Sequence, residues 1–264
     1  MSSIVTDHGV VHYEVAGRGK PIILLHGWIG SWDHWVDTMI CLESRFRGYA
    51  LDFWGFGDST KKLDSFHIND FVAMVDQFME RLGIDTAPII GHSMGGTVAL
   101  SLALAKPDRA KQVIVVGSPI VGNSLNPFLQ LAGHPQVAAL LWRFPSVFRL
   151  FLRLYAPFVA NASQRWYKRV VRDISATTEV SFFSSIRSLR HTDLRPRLPE
   201  IKVPTLGIYG LGDVIVSPYQ SKLISQHVKR SHVAMMAGSG HFPMLDEPEL
   251  FNQHLLDFLY QDSD

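Results

Sequence analysis

Cysteine is nearly missing from this chain of 264 residues, with Cys41 the single example. A lone thiol cannot close an internal disulfide, so a secreted disulfide framework is excluded and a reducing compartment fits. Long apolar runs are missing too. No stretch reaches about 18 consecutive apolar residues, the length a bilayer-spanning helix needs. The first twenty residues are interrupted by Asp7, His8, His12, Glu14 and Arg18 and lack the continuous apolar region of a signal peptide, so a cytoplasmic protein is expected. Neither sign of charge predominates: 25 Lys and Arg stand against 24 Asp and Glu, a formal charge of +1. That balance argues against a dedicated nucleic-acid binder. There is no internal repeat, no Cys/His cluster with zinc spacing and no G-x-x-x-x-G-K-[ST] phosphate loop, so no metal, nucleotide or nicotinamide cofactor is expected.

What is present is a core. Hydrophobic residues make up 47% of the chain, enough for one sizeable domain with an inserted subdomain. Short apolar runs at Val10 to Val15, Pro21 to Leu25, Tyr49 to Leu51, Pro88 to Ile90, Gln112 to Val116, Thr205 to Tyr209 and Val233 to Met236 read as strands, the first as an edge strand. Between them lie helical stretches. Ile68 to Leu82 repeats apolar residues at a helical period and is closed by Gly83, and the Ala- and Leu-rich run from Thr97 to Ala105 stops before Pro107. Strands alternating with helices imply a mostly parallel sheet covered on both faces, an α/β architecture.

From 120 to 199 that rhythm stops. Helix-like stretches broken by Pro127, Pro135, Pro145, Pro157 and Pro196 replace it, and 11 basic residues face only Asp173, Glu179 and Asp193, a local charge of +8 against −7 for the remainder. About 80 residues between two parallel strands exceed an ordinary connection. The expected organisation is a core from 1–119 and 200–264 with a helical cap inserted at 120–199. Within it, Phe144 to Val159 is apolar on nearly every side, too wide for one amphipathic stripe. Phe148, Phe151 and Leu152 are its candidates to line a substrate pocket. The arginines of this segment face either water or an anionic group, and a basic, apolar helix of this kind also suits an anionic lipid surface.

The chemistry gathers at Gly91-His92-Ser93-Met94-Gly95, a small-any-nucleophile-any-small pattern between a strand and a helix. The turn presents the Ser93 hydroxyl at the sheet edge, and the flanking glycines are small because side chains there would strike the neighbouring helix and strand. A serine hydroxyl is a weak nucleophile, so a base and a group orienting that base are required. In this setting the chain resembles the α/β-hydrolase superfamily over essentially its whole length outside the inserted segment. The resemblance implies an acid after a late strand and a histidine after the last one. Asp213, behind Gly210-Leu211-Gly212, and His241, within Gly238-Ser239-Gly240-His241-Phe242, occupy those places. Asp246 is the rival acid, but Leu245-Asp246-Glu247-Pro248 suits the start of the C-terminal helix, where a carboxylate caps free amides.

The resemblance also implies two oxyanion amides, those of Met94 and of Trp28 in the loop His26-Gly27-Trp28-Ile29-Gly30, with Trp28 additionally lining the acyl pocket. His26 and Gly27 are equally compatible with merely shaping a turn. The loop from Asp52 to Ser59 resembles one shared by esterase, epoxide-hydrolase and dehalogenase branches, and serine at position 93 disfavours the latter two, which use aspartate. The implied activity is hydrolysis of a small-molecule carboxylic ester with a hydrophobic acid or alcohol through an acyl-serine. Carbon–carbon cleavage of ring-fission products and lactone, thioester or peracid chemistry use the same constellation, and a ligand receptor on this scaffold is the alternative of another class.

Overall fold

A computed structural model of the chain describes residues 2–63, 65–127 and 143–261. Eight strands form one sheet in the order β1-β2-β4-β3-β5-β6-β7-β8. Their spans are β1 Ser2–Thr6, β2 Gly9–Gly17, β3 Lys20–Leu25, β4 Phe46–Leu51, β5 Ala87–His92, β6 Ala110–Val116, β7 Thr205–Gly210 and β8 Ser231–Met236. From β4 to β8 every neighbouring pair is parallel, while β1 and β2 join antiparallel. The run read as an edge strand, Val10 to Val15, is therefore covered by β1, which was not expected. Residues 2–6 alternate in burial and carry only two large apolar side chains, too short a pattern to announce a strand.

Period-two alternation explains the two covered faces. In β3, Ile23 and Leu25 join the apolar cluster that includes α2 (Ile68–Arg81) and α3 (Met94–Ala105). Ile22 and Leu24 point the other way, into the cluster with α1 (Val36–Leu42) and the C-terminal helix. Asp70 closes the start of α2 by accepting the His67 N–H at 2.7 Å, and Gly83, at φ +66°, follows its end as expected. The helix behind β5 is apolar all round and almost wholly buried. It begins at Met94, a turn earlier than the Ala- and Leu-rich run suggests.

Between β6 and β7 the described residues fold into α4 Pro145–Val159, α5 Ser163–Ser175 and α6 Glu179–His191. Of the five prolines noted there, Pro135 lies outside the described residues. The arginines of α5 turn back onto acids of the first core helices: Arg169 and Arg172 reach Asp33 at 3.1 and 3.0 Å, and Arg165 reaches Asp37 at 2.5 Å. Buried Asp173 accepts from Ser31 and Arg172 and lies 3.3 Å from His34. Burial raises the Asp173 pKa, but the His34 hydrogen bond and the His34 and Arg172 charges outweigh it, so the carboxyl sits below its usual range. The remaining helices are α7 Gln220–His227, α8 Pro243–Asp246 and α9 Pro248–Gln261. Among the described residues no helix is long and apolar enough to cross a membrane.

Candidate active site

Ser93 sits between β5 and α3 at φ +51°, ψ −117°, a left-handed conformation that a residue with a Cβ adopts only under strain. The surrounding backbone holds it there. A Cβ at Gly91 would run into the Gly95 carbonyl, and one at Gly95 into the Leu25 carbonyl. Both small positions are thus set by close backbone approach. The first intrahelical bonds of α3 run from Gly96 and Thr97 to the Ser93 carbonyl. The Met94 and Gly95 amides precede them and have no acceptor within the helix.

Asp213 and His241 meet across loops 28 residues apart: His241 Nδ1 donates to Asp213 Oδ2 at 2.8 Å, with both side chains buried. The other carboxylate oxygen accepts the Ile215 and Val216 N–H groups at 2.8 and 2.9 Å. Those bonds fix the carboxylate, and the carboxylate fixes the imidazole tautomer, leaving Nε2 free of the proton. His241 and Ser93 line one open cavity.

Asp246 does not reach the His241 ring, nor does its carboxylate cap the C-terminal helix as its sequence setting suggested. It accepts the Gly240 N–H at 2.8 Å and the Ala162 N–H at 3.2 Å. In doing so it ties the histidine loop to the α4–α5 turn, and the Asn161 side chain donates to the Gly238 carbonyl alongside.

Trp28, Phe148 and Leu152 line the cavity, together with Tyr155, Trp166 and Phe182. Phe151 does not line it: it stacks on Tyr155 at 5.5 Å, one step round the helix from the cavity face. Trp28 closes a gap between layers. Its indole N–H donates to the Phe182 carbonyl at 3.0 Å, and the two rings lie 4.4 Å apart.

His26 shapes the loop that carries Trp28. Its Nδ1–H donates to the Gly27 carbonyl at 2.7 Å, and Nε2 accepts the Phe53 N–H at 2.9 Å. Complete burial pulls its pKa down to about 4, so the ring is neutral. A Cβ at Gly27 would lie 2.7 Å from His92 Nδ1 and 3.1 Å from Ser93 Cβ, so glycine lets this loop approach the serine turn.

Sequence reasoning missed His92, Val159 and Tyr155. His92 Nε2 donates to the His241 carbonyl at 2.9 Å. Burial above all, with the His241 charge beside it, holds His92 well below the usual histidine range. Its position beside Ser93 was visible, but its partner lies 149 residues away.

The group of ligand-type side chains close enough to share an ion among the described residues is His12, Asp52 and Asp58. It is organised by hydrogen bonds. Asp52 accepts from His12 Nδ1 at 2.8 Å and from the Trp32 and Asp58 amides at 2.7 and 3.0 Å, which braces the loop after β4.

A family model described as the alpha/beta hydrolase fold matches residues 20–248. The chain is 28% identical over 256 residues to the pimeloyl-[acyl-carrier protein] methyl ester esterase of Vibrio atlanticus, covering 94% of this chain and 97% of that one. To the protein of the same name from Yersinia enterocolitica it is 30% identical over 266 residues, covering 95% and 98%. Among solved structures, a thermophilic esterase from Thermogutta terrifontis superimposes with a TM-score of 0.85 over 98% of both chains at 21% identity, a likeness of fold.

Proposed function

The chain belongs to the α/β-hydrolase fold family, and from that premise we propose a serine-dependent carboxylic ester hydrolase in which Ser93, His241 and Asp213 form the catalytic triad. The observation that carries the assignment is the 2.8 Å bond from His241 Nδ1 to a doubly anchored Asp213, with the strained Ser93 on the same cavity. The curated relatives in two bacterial genera, named as methyl ester esterases, support ester bonds as the target.

Ser93 Oγ attacks the ester carbonyl while His241 Nε2 takes its proton. Asp213 keeps the other imidazole nitrogen protonated and stabilises the imidazolium that forms. The Met94 and Trp28 amides hold the oxyanion, and the N-terminal end of α3 adds its dipole. His241 returns the proton to the departing alcohol, then activates the water that releases the acid. Within the 120–199 insertion, helices α4, α5 and α6 act as a cap over the site. The lining named above is apolar and aromatic, which suits a small ester with a hydrophobic acyl or alcohol part. The single thiol fits a cytoplasmic setting.

Labelling with a fluorophosphonate, followed by peptide mass mapping, tests the nucleophile directly. The adduct is expected on Ser93 and should be lost in His241→Ala. An adduct on another serine would overturn the assignment.

A further inference from the structure

Helix α4 has two apolar faces, and only one of them is covered by the described residues. Phe148, Leu152, Ala156 and Val159 are buried. At 100° per residue they occupy an arc of roughly 80°. Val147, Leu150, Leu154 and Phe158 occupy another arc of roughly 80° on the far side, and each is 57 to 66% exposed. Over the eleven steps from Val147 to Phe158 they form a ridge about 16 Å long. This is the wide apolar surface noted in the sequence, resolved into a face that lines the cavity and a face that meets solvent. Helices of water-facing layers ordinarily place polar residues there.

Between the two faces, on the flank towards α5, lie Arg149 and Arg153. Both are exposed, and neither forms an ion pair with a described residue. Arg153 shares a surface depression with Lys168 of α5. The chain has no Asp or Glu from Arg143 to Arg172. Among the arginines of α4, α5 and α6, those that pair with core acids, Arg165, Arg169 and Arg172, are all on α5. The α4 flank is therefore a free cationic edge beside an apolar ridge.

We propose that this face of α4 docks on an anionic lipid surface, with Val147, Leu150, Leu154 and Phe158 entering the interface and Arg149 and Arg153 meeting the headgroups. Charge complementarity selects anionic lipid over a neutral one, and the convex form of the ridge suits a soft surface that needs no matching pocket. Long arginine side chains reach headgroup level while their stems cover apolar surface. The same helix presents Phe148 and Leu152 to the cavity, so an apolar ligand dissolved in the lipid would lie one helix away from Ser93. The docking itself is independent of the reaction assigned to that site.

Co-flotation of the full chain with phosphatidylglycerol-containing vesicles and with pure phosphatidylcholine vesicles tests this. The wild type is expected to float with the anionic vesicles, and less so at high salt. Leu150→Glu/Leu154→Glu should lower its partitioning about tenfold or more. Arg149→Gln/Arg153→Gln should remove the preference for anionic over neutral vesicles. Both variants should keep the wild-type rate on p-nitrophenyl acetate and the wild-type melting temperature in lipid-free buffer. Wild type that stays with the pellet, or a double-Glu variant that floats equally well, would overturn the proposal. So would a lipid-free wild-type dimer that the double-Glu variant breaks, which would identify a second copy as the occupant. A melting temperature lowered by several degrees in that variant would likewise show that the chain itself covers the ridge.

Discussion

The carbonyl of Val159, the last residue of α4, accepts the backbone N–H of His241 at 2.9 Å. A helix end leaves its final carbonyls without intrahelical partners, and here the loop carrying the proposed base supplies one. With Asp246 holding both Gly240 and Ala162, the inserted helices and the histidine loop form one hydrogen-bonded unit.

Gly240 is the residue through which that unit can be strained. A Cβ there would lie 2.6 Å from the Val159 carbonyl, so Gly240→Ala should push the loop away from α4. The expected result is a kcat lowered about tenfold or more with little change in KM, since misplacing a base by a fraction of an ångström is costly. Steady-state kinetics on p-nitrophenyl acetate would check it, and an unchanged kcat would mean that His241 does not depend on its bond to Val159.

Ser93→Ala should abolish ester turnover by on the order of 10⁴ or more and leave the melting temperature nearly unchanged. Asp213→Asn should cut kcat severely with substrate binding retained, because an amide that donates to Nδ1 holds the wrong imidazole tautomer. Asp246→Asn keeps one acceptor oxygen and never meets the ring, so its effect should be much smaller. Reversal of the last two effects in a side-by-side assay would identify Asp246 as the acid.

Leu152 and Phe151 are neighbours in the chain with opposite expected phenotypes. Leu152 lines the cavity and Phe151 stacks on Tyr155 outside it. Leu152→Ala should shift acyl-length preference across a p-nitrophenyl ester series and lower stability by roughly 2 to 5 kcal/mol. Phe151→Ala should leave the preference unchanged. A shift with Phe151→Ala and none with Leu152→Ala would mean that the acyl chain follows another path.

His26 predicts an acid-sensitive fold. Its pKa is about 4 in the folded chain against 6.5 when free, so the unfolded chain binds the proton first. Its contribution is complete above about pH 6.5 and is lost as pH falls towards about 4, on the order of 3 kcal/mol in all. Chemical denaturation at a series of pH values should show stability falling over that window. His26→Gln should give a shallower slope, and an identical slope would show that this ring does not carry the effect.

Much of this molecule was legible one segment at a time. The continuous apolar runs of β3 and β5, the helical period of Ile68 to Leu82, and the two glycines flanking Ser93 each report a local steric requirement. Local requirements are written in adjacent residues. Phe151 shows the limit even within one helix: its composition matched Leu152, but which side faced the cavity depended on what α4 packed against.

Asp246 shows the limit across the chain. A carboxylate before Pro248 reads as a helix cap, and only the approach of residues 159–162 to the histidine loop made two backbone amides its partners. His92 likewise found its acceptor 149 residues away. The sequence alone determined which side chains could do chemistry and the strand-turn-helix settings that present them. Tertiary structure decided which of them meet, how α4 divides between cavity and solvent, and that His241 leans on a helix end. Those contacts join segments far apart in the chain, and hydrogen-bond geometry across such distances is set by packing and leaves no periodic trace in the residues themselves.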